Sequence, residues 1–236
     1  MNSPSDPRRL LCTSAGDFQL NEYRLRTAGR EWAILHFGAV LSYADESHFL
    51  EEVTNRLPYG VALWPAAIAL AHDLASRGDA FNGKRVLELG SGTGLPGTVA
   101  ASLGGRVMQT DRNGLAMEVC KRNGDLNKIE MVEYRIAEWE TWDDAGRYEW
   151  IVGSDILYAE EMHPHLRRIF ESNLAPRGRV LISDPFREAS LRLLEAMEED
   201  GWRITLTKWS VGEEGAPRPI GVYELEPPPT EAYAFP

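Results

Sequence analysis

The sequence has few cysteines and no long apolar run. Cys12 and Cys120 are its only two cysteines among 236 residues. This number excludes a disulfide scaffold and a cysteine-rich zinc module, and it fits a reducing compartment. The longest apolar stretch, residues 60–71, is interrupted by Pro65 and is too short to span a bilayer. No apolar segment of signal-peptide length follows the first basic residues, so we expect a cytoplasmic protein without a membrane partner.

Positive charge is also scarce. The chain has 25 Lys and Arg residues against 36 Asp and Glu residues, which gives a formal net charge of -11. Tight, non-specific binding to nucleic acid needs a basic surface, so no nucleic-acid partner is expected. Hydrophobic residues make up 43% of the chain, as in ordinary globular proteins. The length predicts one large domain, or one domain with an extension.

Strand-like segments alternate with helical patterns from about residue 64 onwards. The predicted strands of this part are residues 85–90, 106–111, 131–136, 149–155, 179–184, 202–209 and 220–225. The predicted helices are residues 64–74, 95–103, 114–123, 165–173 and 188–200. This alternation predicts an α/β fold with a Rossmann-like, seven-stranded, mostly parallel sheet and helices on both faces. No helix separates the last two strands, so one of them can insert antiparallel.

The first part of the chain has a different character. Residues 1–20 contain prolines and mixed polar residues, and we expect them to form a loose start. Residues 23–41 predict two short strands around a glycine-containing turn, and residues 47–57 predict a short helix. We therefore predict an N-terminal, β-rich extension at residues 1–57 and one larger domain at residues 58–236.

The candidate chemistry starts at a glycine-rich turn, GSGTG at residues 90–94, between a strand and a helix. Such a turn places backbone N–H groups at the carboxyl edge of a sheet and lets a ligand approach closely. The dinucleotide fingerprint needs a further glycine where this chain has Leu95. Glu88, in the preceding strand, disfavours phosphate and favours a cationic amino group. Asp111 lies about 20 residues beyond the turn, where a carboxylate binds ribose hydroxyls, so the pattern points to S-adenosylmethionine.

The same segment carries a family resemblance. Residues 86–97, VLELGSGTGLPG, resemble the first motif of the seven-β-strand methyltransferases. Three further segments are similar to the narrower lysine-methyltransferase-like group, methyltransferase family 16. They are LPYGVALWP at residues 57–65, TDRN at 110–113 and GSDILY at 153–158. The resemblance implies that the larger domain is an S-adenosylmethionine-dependent N-methyltransferase, with a lysine of another protein as the favoured acceptor.

The resemblance also implies roles for individual residues. The resemblance and the glycine turn together predict the residues that bind the cofactor. These residues are Trp64, Glu88, Gly90, Ser91, Gly92, Gly94, Asp111, Arg112, Trp139 and Ser154. Among them, Trp64 is expected at the methionine end of the cofactor, Asp111 at the ribose and Arg112 near the adenine. Trp139 is expected to contact the adenine, with Trp142 as an alternative.

Two residues are expected to border the acceptor. A lysine amine has a pKa of about 10.4 and must lose a proton before it can attack. A nearby carboxylate favours the charged ammonium, so we assign Asp155 the docking and orientation of the lysine side chain. Tyr158 is expected to pack on its alkyl chain. Nothing in the sequence has the spacing of a metal site, and no metal is expected.

Two other functions stay open at this point. The first is a small-molecule N-methyltransferase, for which the N-terminal extension would serve as a lid. The second is a cofactor-binding module that acts through partner binding. The identity of the acceptor, the number of methyl groups added and the oligomeric state do not follow from the sequence.

Overall fold

The computed structural model describes residues 9–13, 16–39, 59–212 and 217–229. Its strands are β1 (Leu10–Thr13), β2 (Gly16–Gln19), β3 (Asn21–Thr27), β4 (Arg30–His36), β5 (Arg85–Leu89), β6 (Arg106–Asp111), β7 (Val132–Ile136), β8 (Tyr148–Ser154), β9 (Leu174–Asp184), β10 (Arg203–Val211) and β11 (Arg218–Glu226). Its α-helices are α1 (Pro65–Ser76), α2 (Leu95–Ser102), α3 (Gly114–Leu126), α4 (His163–Asn173) and α5 (Glu188–Glu199). No helix among the described residues is long and apolar enough to cross a membrane.

One seven-stranded sheet forms the centre of the molecule, in the order β10-β11-β9-β8-β5-β6-β7. The strands from β9 to β7 in this order are all parallel. β11 lies between β9 and β10 and is antiparallel to both. The mostly parallel sheet and the antiparallel insertion near its end are therefore confirmed.

The sheet is covered on both faces because alternate residues of its strands enter two different cores. Val86 and Val152 pack with α1 and α2 in one core. Their neighbours Leu87 and Ile151 pack with α4 and α5 in the other. Side chains that follow one another along a strand point to opposite faces, so continuous apolar strands such as RVLEL require helices on both sides.

The N-terminal part contains more structure than the sequence predicts. β3 and β4 form the expected antiparallel hairpin. The expectation of a loose start is wrong for β1 and β2, which form a second hairpin. Its anchors are Leu11 and Leu20, which are fully buried with Val119 of α3. The predicted short helix at residues 47–57 lies outside the described residues, and the boundary at residue 57 stays a prediction.

Two asparagines of α3 attach the β3–β4 hairpin to the larger domain. The Asn123 side chain accepts a hydrogen bond from the N–H of Leu35 at 2.7 Å and donates to the C=O of Leu35 at 2.9 Å. It also donates to the C=O of Thr93, in the glycine turn, at 2.8 Å. Asn127 bonds the N–H and C=O of Ala33 in the same way. The outer edge of β4 is thereby paired by side chains instead of another strand.

Replacing Asn123 by Ala is expected to lower the free energy of unfolding by about 3 kcal/mol. Asn123 is fully buried, so the substitution leaves three backbone groups without partners and without access to water. The matched control is Asn127→Ala, at a half-buried position where water can replace the amide, with an expected loss of about 1 kcal/mol. Urea unfolding measures both, and equal losses would contradict the role given to burial.

Candidate active site

A cavity of about 450 Å³ opens at the carboxyl ends of β5, β6 and β8. The chain leaves β5 towards β6 and β7 on one side and returns to β8 and β9 on the other. Such a reversal of strand order is where open α/β sheets bind ligands. The predicted residues that line the cavity are Trp64, Gly90, Ser91, Gly92, Asp111, Arg112, Trp139, Ser154, Asp155 and Tyr158.

The glycine turn forms one wall of this cavity. Gly90 and Gly92 have φ angles of 62° and 54°, in the left-handed region that favours glycine. A Cβ atom at Gly90 would lie 2.9 Å from Ile156 Cγ2 and 3.3 Å from Trp139 Cζ2. A Cβ at Gly92 would lie 3.1 Å from the carbonyl oxygen of Gly60. Both the backbone angles and the close neighbours therefore require glycine here.

Asp111 ends β6 beside this turn, and backbone donors hold its carboxylate. Oδ2 accepts a hydrogen bond from the N–H of Gly92 at 3.0 Å, and Oδ1 accepts one from the N–H of Asn113 at 2.9 Å. Burial raises the pKa of Asp111 above its ordinary value. The carboxylate is thus fixed in place, with its remaining lone pairs available to hydroxyl donors on a ligand.

The structure distinguishes the two tryptophans that follow β7. Trp139 lines the cavity, with its ring over Gly90. Trp142 packs against the core that contains α4 and α5, and its Nε1 donates to Asn173 Oδ1 at 3.0 Å. Of the two tryptophans, the structure brings Trp139 to the cavity and Trp142 to Asn173 of α4.

The segment before α1 contributes a residue that the sequence reasoning missed. Tyr59 lines the cavity and is 49% exposed. Trp64, in extended conformation before α1, donates from Nε1 to the carbonyl oxygen of Tyr59 at 3.1 Å. The only sequence signal for Tyr59 is its place inside the motif that contains Trp64.

Asp155 lies at the end of β8 with its side chain at the cavity. Its φ of 53° is in the left-handed region, and its N–H donates to the carbonyl oxygen of Ser183 at 2.8 Å. Both carboxylate oxygens accept hydrogen bonds from Arg187, Oδ1 from Nε at 3.0 Å and Oδ2 from Nη2 at 2.9 Å. Tyr158 stands at the mouth of the cavity and is 56% exposed.

Arg187 is another lining residue that the sequence reasoning missed. It lies 32 positions after its partner Asp155, at the start of α5. The available signal was its position just after β9, because the carboxyl ends of neighbouring parallel strands meet at one edge of the sheet. No group of three or more His, Cys, Asp or Glu side chains suited to a metal ion occurs among the residues that the structure describes.

A comparison with protein families decides what kind of chain this is. The model of a family described as lysine methyltransferase matches residues 44–200. The chain belongs to the lysine methyltransferase family. It is an S-adenosylmethionine-dependent methyltransferase, which confirms the resemblance and the class of reaction that were predicted from the motifs.

Individual relatives of this methyltransferase agree with the family match. The protein N-lysine methyltransferase METTL21A of Xenopus tropicalis is 35% identical over 153 residues, which cover 62% of this chain and 71% of that protein. The mouse EEF1A lysine methyltransferase 3 is 30% identical over 159 residues, which cover 62% of this chain and 68% of that protein. These homologues support lysine N-methylation as the reaction.

Solved structures share the fold of this methyltransferase. The ribosomal protein L11 methylase of Lactobacillus delbrueckii subsp. bulgaricus has a TM-score of 0.54 and 25% identity, over 67% of this chain and 77% of that chain. The Thermus thermophilus 16S rRNA N2 G1207 methyltransferase RsmC, in complex with AdoMet and guanosine, has a TM-score of 0.61 and 16% identity, over 88% of this chain and 50% of that chain. At 16% identity, the likeness to RsmC shows a shared fold alone.

Two predicted cofactor residues of this methyltransferase do not line the cavity. Glu88 is fully buried behind the glycine turn, and its Oε2 accepts a hydrogen bond from Gln109 Nε2 at 2.6 Å. Gln109 Nε2 also donates to the carbonyl oxygen of Gly94 at 3.0 Å. Gly94 precedes α2, and a Cβ atom there would overlap the Sγ of Cys120. Glu88 therefore supports the turn from behind, and Gly94 lies at the inner end of the turn against Cys120. The expected contact of Glu88 with a cationic amino group is corrected.

Glu88 is expected to make the stability of the fold depend on pH. Burial raises its pKa from 4.5 to about 7. The folded state then binds more protons than the unfolded chain between these values, so this contribution to stability falls as pH rises through that window. Urea unfolding gives the free energy of unfolding of the wild type minus that of Glu88→Gln. This difference is expected to fall by about 3 kcal/mol from pH 4.5 to about 7, because only the wild type has the titrating carboxyl group. A difference independent of pH would contradict this assignment.

Proposed function

We propose that this methyltransferase transfers a methyl group to a lysine side chain of a protein substrate. The observation that carries the proposal is one cavity with two chemically different ends. Asp111, after β6, lies at one end, and Asp155 and the exposed Tyr158, after β8, lie at the other, with β5 and its glycine turn between them. In this proposal the first end binds S-adenosylmethionine and the second binds the lysine.

The first end fits the cofactor by its shape and its donor set. A volume of about 450 Å³ is within the usual range for small-molecule sites. The left-handed glycines leave room for close approach of the methionine part along the backbone. Asp111 has acceptor capacity for ribose hydroxyls, and Trp139 offers an aromatic face to the adenine. Trp64, Ser91, Arg112 and Ser154 complete the proposed lining.

The second end has to align the acceptor and exclude water. When bound, the cofactor supplies a methyl group on a sulfonium: the amine lone pair forms the N–C bond while the C–S bond breaks and its electrons stay on sulfur. Alignment of two reactants alone lowers the barrier substantially. We assign orientation of the lysine side chain to Asp155 and packing of its alkyl chain to Tyr158.

The open mouth of the cavity favours a protein acceptor over a small molecule. Tyr59 and Tyr158, which stand at this mouth, are both about half exposed. A lysine side chain can enter between them while the rest of its protein stays outside, whereas a small substrate is usually enclosed. The two free cysteines fit a reducing compartment, and we propose the cytoplasm.

Labelling of a lysate from the source organism tests this proposal. Purified enzyme, methyl-labelled S-adenosylmethionine and lysate are incubated, and protein is separated from small molecules, with Asp155→Asn as the control. Label in a discrete protein band that is lost with the variant is the expected result. Label confined to the small-molecule fraction would contradict the protein acceptor. No label in either fraction, with intact cofactor binding, would favour a cofactor-binding module.

A further inference from the structure

The carboxylate assigned to the acceptor is already paired with an arginine. Asp155 accepts two hydrogen bonds from the guanidinium of Arg187, at 2.9 and 3.0 Å, in a bidentate arrangement. The side chain of Asp155 is 11% exposed and that of Arg187 is 33% exposed. Bidentate Arg–carboxylate pairs fix geometry as well as charge. The pair therefore meets an incoming lysine as one nearly neutral unit.

The backbone around this pair is constrained from both sides. Asp155 and Phe186 are both non-glycine residues in the left-handed region, at φ 53° and 65°. The N–H of Arg187 donates to Asp184 Oδ1 at 2.7 Å, and the ring of Phe186 packs edge-on against Tyr223. Left-handed residues of this kind persist where the surroundings impose them, and they cluster at functional sites. The surrounding contacts thus hold Asp155 and Phe186 in strained backbone conformations, and these conformations direct Arg187 towards Asp155.

This arrangement resolves an electrostatic conflict in the proposed reaction. An isolated carboxylate beside a lysine amine stabilises its ammonium form, which has no lone pair for attack. A neighbouring guanidinium acts in the opposite direction because like charges repel. Asp155 keeps lone pairs that the arginine does not use, so it can still accept a hydrogen bond from the amine.

We propose that Arg187 is a positioning residue that orients Asp155 and cancels its charge, so that the acceptor lysine reacts as a neutral amine. The inference rests on the proposed function and adds a residue to it. The proton that the amine loses goes to water before the methyl group is transferred. No base on the protein is required for this step.

The other charged groups around the cavity determine what the loss of Arg187 does. The other ionisable groups that line the cavity are Tyr59, Asp111, Arg112, Glu138, Glu140 and Tyr158, and the buried Asp184 lies beside Arg187. Burial raises the pKa of Asp184. Carboxylates outnumber cations in this set, so removing Arg187 leaves the acceptor end more negative. The ammonium form of lysine is then favoured.

The test is a pH profile of methyl transfer by Arg187→Gln. The acceptor is the protein band identified in the lysate, assayed with labelled S-adenosylmethionine between about pH 6 and 10. We expect the rate at neutral pH to fall about tenfold or more, and the deficit to shrink as pH rises, because deprotonation of the amine moves to higher pH. Arg192→Gln is the matched control, since Arg192 lies on α5, is half exposed and pairs with Glu160 and Glu188. It is expected to leave the profile unchanged.

A second variant separates the charge of Arg187 from its bidentate geometry. Arg187→Lys keeps the positive charge but not the bidentate geometry, and it is expected to retain the wild-type pH dependence at a reduced rate. A loss with Arg187→Gln that is equal at every pH, or no loss, would overturn the role of Arg187. Absence of label with the wild-type enzyme would instead refute the proposed function. The affinity for S-adenosylhomocysteine, measured by calorimetry, is expected to be unchanged in both Arg187 variants.

Discussion

Replacing Asp155 by Asn is expected to slow methyl transfer about 100-fold or more, because a misplaced acceptor loses the advantage of alignment. Asn tolerates the left-handed backbone at this position and has nearly the same volume, so the fold is expected to persist. The amide offers one acceptor where the carboxylate has two, and its NH₂ group faces the donors of Arg187. The bidentate pair is lost, and the lysine side chain loses its fixed partner.

The measurement combines single-turnover transfer with calorimetric titration of S-adenosylhomocysteine. The rate is expected to fall, while the affinity changes by less than about threefold, because Asp155 lies at the opposite end of the cavity from Asp111. Asp200→Asn is a suitable control, since Asp200 is exposed and pairs with Arg167 on the surface. A rate within a few-fold of wild type would show that Asp155 does not orient the acceptor.

Replacing Asp111 by Ala is expected to raise the dissociation constant of S-adenosylmethionine about 100-fold. Two charge-assisted hydrogen bonds to ribose hydroxyls are lost, each worth about 1.5–3 kcal/mol, and relaxation of the site recovers part of this. The substitution also leaves the N–H groups of Gly92 and Asn113 without their acceptor, which loosens the glycine turn. The rate of transfer at saturating cofactor is expected to fall much less than the affinity.

Calorimetry and steady-state kinetics distinguish this result from a folding defect. The KM for the cofactor should rise in parallel with the dissociation constant, since lost ground-state binding changes KM and leaves kcat almost unaffected. Asp125→Ala, which removes an exposed carboxylate near the end of α3, is the matched control. An unchanged affinity of the Asp111 variant would refute the proposed ribose contact.

The sequence predicts the central sheet well because its signals are local. Strand β5 is a short apolar run that ends at a glycine turn, and α1 begins with Pro65 at its first position. The β1–β2 hairpin was missed because each strand has only four residues, LLCT and GDFQ, without clear alternation. Its stability comes from Leu11 and Leu20 packing on α3, a contact between distant parts of the chain.

The site was predicted less completely, for a similar reason. Motif positions identified the residues at the strand ends, including Asp111 and Asp155. The local sequence pattern did not show that Glu88 packs behind the turn against Gln109. The direction in which a strand side chain points relative to the cavity depends on the tertiary surroundings. It also did not show that Arg187 reaches Asp155, since two neighbouring strand ends bring them together across 32 positions.

The identity of the methylated atom tests the central claim most directly. Tandem mass spectrometry of the protein band labelled in the lysate locates the methyl group within the sequence of the acceptor. The account predicts a methylated lysine side chain, present with the wild-type enzyme and strongly reduced with Asp155→Asn. A methyl group on any other residue type, or label found only in small molecules, would contradict it.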